Sequence, residues 1–216
     1  MRQTETDADL DRQYRVLLDA DRPDITRASA GELAEAVEKL REPLRSALAQ
    51  EDRVASRSWV PFVLVVGPLL AAAEDLVPTL RLDGGSAAGV VDRNHGEAGL
   101  AAYRPLPELG VPESGLYALI DVERGEEFCG VRPKDALPVL AGRGRTPLTI
   151  HEGIALVAHF PSVLEKNACF MLSGSRRGDK RVPALWISDR APKVGWCWEG
   201  NPHTWLGTAS AGARLA

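Results

Sequence analysis

Cysteine and lysine are scarce in this 216-residue sequence, and it has no long uninterrupted apolar run. The three cysteines, Cys129, Cys169 and Cys197, are an odd number, lie far apart and form no CxxC pair. They support neither a zinc ribbon nor a disulfide framework, and they predict a cytoplasmic protein with reduced thiols. The most apolar stretch, Val60 to Ala73, contains Pro61, Gly67 and Pro68 and is too short to span a bilayer. The polar, acidic start lacks the apolar centre of a secretory signal. The net charge is -4 with 26% charged residues, which gives no general attraction to nucleic acid or to an anionic membrane, so neither is an expected partner. Also missing are GxSxG, HExxH, a P-loop, a dinucleotide-binding glycine pattern and paired catalytic carboxylates. No cofactor is expected. There is no internal repeat and no low-complexity segment.

What remains is a chain with 44% hydrophobic residues, enough for a sizeable core. Leu10, Tyr14, Leu17 and Leu18 recur at helical spacing and predict a helix over Asp7 to Ala20, with Asp7, Asp9 and Asp11 near its positive end. Asp21 to Asp24 reads as a break. Ser29 and Glu32 form a capping box ahead of the stripe Leu33, Val37, Leu40, Leu44, Leu48, with Pro43 expected to kink that helix. The stripes fit either an antiparallel pair packed within the chain or a homodimerisation arm. After a polar linker, Trp59 to Gly67 reads as a strand buried on both faces. Leu69 to Leu80 reads as helical, Gly89 to Asp92 and Leu116 to Val122 as strands, and Lys134 to Leu140 as a short helix. Thr149 and Glu152 cap a helix over Ile150 to Phe160. Cys169 to Leu172, Val182 to Ser188 and Val194 to Trp198 form an antiparallel meander. The class expected is α+β: N-terminal helices (residues 1–55), then a core domain (residues 56–216) with a mixed or antiparallel sheet, helices on one face and a terminal three-stranded meander.

Four of the five tryptophans fall between Gly174 and Gly207. Strand alternation puts Trp196 and Trp198 on one face and Cys197 on the other, with Trp186 sharing the tryptophan face if register allows and Trp205 just beyond. This aromatic set reads either as a core wall or as a pocket that stacks a planar ligand. Arg176, Arg177, Lys180 and Arg181 flank Gly178 in a hairpin that is either a solvated tip or a grip for a carboxylate or phosphate. Asn201-Pro202-His203-Thr204-Trp205 holds His203 on a constrained loop, and Asn94-His95-Gly96 holds His95 on another. Either histidine is a candidate general acid/base or a residue that satisfies backbone groups. A metal shared by the two, or a Cys197–His203 dyad, is a weaker alternative, because local ligand spacing is absent and Cys197 is a strand-interior thiol. His151 and His159 read as helix-surface residues.

The strings GSRRGDKRVPALWIS and PKVGWCWEGNPHTWLG, preceded by DRNHG, YRPLPELGVP, VERGEEF and TPLTIHEGIAL, resemble an uncharacterised domain family of actinobacterial proteins of unknown function. The resemblance covers most of residues 60 to 212 and implies no activity. Its pattern includes Asn94, His95, Arg176, Trp186, Trp196, Trp198, Asn201, His203 and Trp205, without roles; position 151 is more often glutamate in it, which makes His151 a poor ligand candidate.

The leading expectation is a binding or interaction protein that takes an anionic small molecule or a peptide at the C-terminal meander. An enzyme of small-molecule metabolism using His203 or His95, and a structural subunit whose tryptophans meet another protein, are the alternatives.

Overall fold

The computed structural model describes residues 3–18 and 26–216; the break expected at Asp21 to Asp24 and the end of the first helix lie outside them. The fold is α+β. Two helices, α1 (Gln3–Leu18) and α2 (Ala30–Ala47), lead into strand β1 (Trp59–Val66). A four-stranded antiparallel sheet is built from β1, β4 (Leu116–Glu123), β11 (Ser210–Leu215) and β5 (Thr146–Pro147), in that spatial order. A five-stranded mixed sheet runs β10 (Leu206–Thr208), β6 (Cys169–Met171), β8 (Arg181–Ser188), β9 (Ala191–Trp198) and β2 (Val90–Val91). Its inner three strands are antiparallel, and its edges β10 and β2 run parallel to β6 and β9. A two-stranded ribbon pairs β3 (Arg104–Pro105) with β7 (Ser175–Arg176). Helices α3 (Ala73–Leu76), α4 (Pro133–Gly142) and α5 (Ile150–His159) complete the order.

The all-apolar run of β1 is buried along its whole length, because both faces of its sheet are covered. Phe62, Leu64 and Val66 join the stripe of α2 and Leu10 of α1 in one core. Val63 and Val65 face the other way, into a larger core with α5 and the five-stranded sheet. The α2 stripe therefore lies against the sheet of its own chain, with Leu33, Val37, Leu40, Leu44 and Leu48 at most 3% exposed. Both capping boxes are formed. Pro43 lies inside an unbroken α2. Because α1 begins at Gln3, its aspartates sit inside the helix rather than at its positive end. Asp7 and Asp11 meet Arg41 and Arg45 of α2 across the helix pair instead.

Three readings change. The helix expected over Leu69 to Leu80 shrinks to α3 and one 3₁₀ turn, since Gly67 and Pro68 open a turn whose Leu70 and Ala71 amides bond back to Gly67 O. The meander is present, but the chain then continues through β10 and β11, the latter central in the first sheet. His159 is 3% exposed and His151 half-buried, because α5 is packed between the sheet and its covering loops rather than lying on a surface. Where the chain passes from β10 to β11 it runs over Gly125, whose φ is +75°; a Cβ there would stand 1.9 Å from Thr208 O. Among the described residues no helix is long and apolar enough to cross a membrane.

Candidate functional site

The turn between β8 and β9 decides how the tryptophans divide. Asp189 and Arg190 both have positive φ and form a two-residue loop, so Ser188 pairs with Ala191, Trp186 with Lys193 and Pro183 with Trp196. Paired residues share a face, so Trp186 lies on the opposite side of the sheet from Trp196 and Trp198. The shared tryptophan face is replaced by two separate aromatic sites.

On one face, Trp196 and Trp198 meet edge to face with centroids 4.8 Å apart, and the Arg181 guanidinium lies 4.5 Å and 5.9 Å from their ring centres. Trp196 Nε1 donates to Asn94 O. Trp198 is 43% exposed and closes the stack towards solvent.

On the other face, the six-membered ring of Trp186 crowds Gly195, where a Cβ would stand 1.9 Å from the indole. Only glycine admits that approach. Trp205 enters β10 on the far side of β6, its carbonyl accepting from the Cys169 amide at 3.1 Å. The two indoles meet perpendicular, 6.2 Å between centroids, and straddle Cys169. Lys166 and Asn167, from the turn that precedes β6, form the lip; Asn167 takes φ +64°, a conformation asparagine tolerates. The resulting recess is open, has a volume of about 410 Å³ and is lined by Lys166, Asn167, Cys169, Trp186, Ile187 and Trp205. Lys166 is exposed and has no ion pair among the described residues. Burial raises the Cys169 thiol above its ordinary range, so it stays protonated, its Sγ 3.3 Å from Glu165 O.

His203 stands behind this corner, its ring edge-on to Trp205 at 5.7 Å. Burial lowers its pKa, which keeps the ring neutral, and its Nε2 is enclosed without a hydrogen-bond partner. Its carbonyl accepts from the Gly130 amide at 2.8 Å, which ties the loop to the segment before α4. Asn201 is exposed, and its amide closes a turn on Trp198 O.

The hairpin arginines turn inward. Arg176 donates to Ser173 O and Ser175 O, and burial lowers its pKa against the weaker opposing charges of Glu199 and Glu108. Arg177 donates to His95 O at 2.8 Å and stacks 5.5 Å from the Tyr103 ring. Arg181 is held in the indole stack. Three of the four cations read as a grip for anions are thus engaged with carbonyls and rings of the same chain. His95 is 1% exposed, with Nε2 3.2 Å from Val194 O and its ring against Tyr103. Desolvation lowers its pKa. It sits by the β2 edge of the five-stranded sheet, whereas His203 precedes the β10 edge, about 19 Å away at ~4.8 Å per strand. Burial pushes the Cys197 thiol up to about 12, against the opposing charge of Arg176. Among the described residues no group of three or more His, Cys, Asp or Glu side chains gathers to hold a metal.

Lys166, Asn167 and Cys169 are not legible as site residues in the sequence. The only local signal was a Lys-Asn turn ahead of a strand, and nothing local ties that turn to Trp186 and Trp205.

By geometry this is an α+β domain with an aromatic-walled recess at the edge of its mixed sheet. A family model described as a family of unknown function, DUF5701, matches residues 16–216, and the chain belongs to that family. No curated protein and no solved structure matches it.

Proposed function

We propose that this protein is a ligand-binding domain whose recess between Trp186 and Trp205 takes a planar small molecule with an anionic group. The observation that carries the reading is the perpendicular indole pair flanking Cys169, with an unpaired Lys166 at the mouth. Two indole faces at right angles give one surface for stacking and one for edge contact. A volume of about 410 Å³ suits a one- or two-ring ligand. The ammonium group of Lys166 selects a carboxylate, and the Asn167 amide adds a hydrogen bond to it. No base is needed for binding alone, and the protonated Cys169 thiol serves as floor rather than nucleophile. Three unpaired cysteines fit a reducing compartment, and we assign the domain to the cytoplasm.

The test is a tryptophan-fluorescence titration with 2-naphthoate and with 2-naphthamide. Saturable quenching by naphthoate is expected. Lys166→Gln, or loss of the charge in the amide, weakens binding about ten-fold, the effect of one charge-assisted hydrogen bond of about 1.5 kcal/mol. Trp205→Leu weakens it about three- to ten-fold. Equal binding of acid and amide, or no change with Trp205→Leu, contradicts the proposal.

A further inference from the structure

A second depression, of about 480 Å³, lies at the start of α5 and shares no lining residue with the aromatic recess. Its floor is made of small and apolar side chains, the run Ala71-Ala72-Ala73 with Leu100 and Ile150. Three successive alanines leave the space that larger residues would fill.

The rim is basic. Arg27 donates through NH1 to Leu69 O at 3.1 Å, and Arg104 through NH1 to Ala101 O and Tyr103 O. Each guanidinium is thereby fixed at one nitrogen, and among the described residues neither has a carboxylate partner or another hydrogen bond. Most arginines of this chain are instead paired with an acid: Arg41, Arg45, Arg53, Arg124, Arg145 and Arg214 are examples. Among the described residues Glu74 is the one carboxylate in the lining, and its Oε1 accepts from the Ala101 amide at 2.6 Å. His151 adds no charge, because burial lowers its pKa and its Nε2 lies 3.1 Å from Ala71 O. The lining therefore carries two cations against one anion over an apolar floor. The N-terminus of α5 is not the attraction, since Glu152 and Ser175 Oγ already accept its Thr149 and Ile150 amides.

We propose that this depression is a binding site for a short aliphatic carboxylate, its chain on the alanine floor and its carboxylate in the open fork of Arg104. A guanidinium with free Nε and NH2 groups presents the geometry a carboxylate meets in two parallel hydrogen bonds. The chain contributes about 0.8 kcal/mol per buried methylene, so affinity rises with length until the floor is covered.

The probe is hexanoate, measured by calorimetric titration beside butyrate, hexanamide and inorganic phosphate. Hexanoate binds about ten-fold or more tightly than butyrate, hexanamide or phosphate. Arg104→Gln, at an exposed position, weakens hexanoate at least ten-fold without changing thermal unfolding. Ala72→Leu, which fills the floor, abolishes binding. Trp205→Leu leaves hexanoate binding unchanged, which separates this site from the aromatic recess. Absence of hexanoate binding, phosphate binding as tightly as hexanoate, or affinity unaltered by both Arg104→Gln and Ala72→Leu overturns the proposal.

Discussion

Gln13 takes the place of a neighbouring strand beside β1, the edge of the four-stranded sheet. Its Nε2 donates to Phe62 O at 3.2 Å and its Oε1 accepts from the Leu64 amide at 2.7 Å, and the side chain is fully buried. An open edge would otherwise present these groups to a second chain. Gln13→Ala leaves a buried donor and a buried acceptor unpaired and costs roughly 2–4 kcal/mol, read as a lower urea midpoint with unchanged slope. A loss below about 0.5 kcal/mol would show that water replaces the amide. Nothing in the sequence announced this residue. It follows Arg12 on a polar stretch of helix, and its role exists only once β1 lies beside it. His203 was legible as unusual, from the proline before it, but its neutral, enclosed ring follows from Trp205 and the fold around it.

At the level of elements, the features set by local chemistry were readable and those set by pairing were not. Both capping boxes depend on four consecutive residues, and both form as expected. Strands β1 and β4 were carried by continuous apolar runs. Strands β10 and β11, LGT and SAGARL, have small residues and no apolar alternation. They are strands because Phe170 and Val122 lie beside them. The face of Trp186 turned on a single residue: a three-residue loop after Ser188 would have set it opposite Val194, on the side of Trp196. The strand β11 is fastened to α5 by the buried pair Glu152–Arg214, in which Glu152 accepts from Arg214 Nε at 2.6 Å, Arg214 NH2 at 3.0 Å and Tyr117 OH at 3.1 Å. Glu152→Gln preserves the cap but strands a buried guanidinium, and should cost about 3–5 kcal/mol in chemical unfolding. The double variant Glu152→Leu with Arg214→Met should lose much less than the two single changes summed. Additive losses would mean that the pair is not coupled.

For the molecule as a whole, two cores share the first sheet, so α1 and α2 are part of the packing around β1 and β4. That dependence was only half legible: the stripe of α2 marked a buried face, but its partner could be named only from the fold. A pH dependence follows from three histidines. His95, His151 and His203 are each lowered by desolvation, against the weaker opposing charge of Asp92 on His95 and of Glu152 and Glu74 on His151. The unfolded chain takes up protons on these rings near pH ~6.5, and the folded chain does so only lower. Folding therefore releases protons, and their contribution is complete above about pH 6.5 and declines as pH falls towards the folded values. The urea midpoint should be lower at pH 5.5 than at pH 7.5, and His95→Gln should reduce the difference. A midpoint that is the same or higher at pH 5.5 contradicts this.

The proposed ligand-binding corner is formed by Trp186 and Trp205 rather than by the Trp196–Trp198 stack. The most direct measurement is fluorine NMR of protein labelled with 5-fluorotryptophan, each resonance assigned by single Trp→Phe changes, during titration with 2-naphthoate. Saturable shifts confined to Trp186 and Trp205, with Trp59, Trp196 and Trp198 unmoved, are the predicted result. Shifts confined to Trp196 and Trp198, or none at any tryptophan, would contradict it.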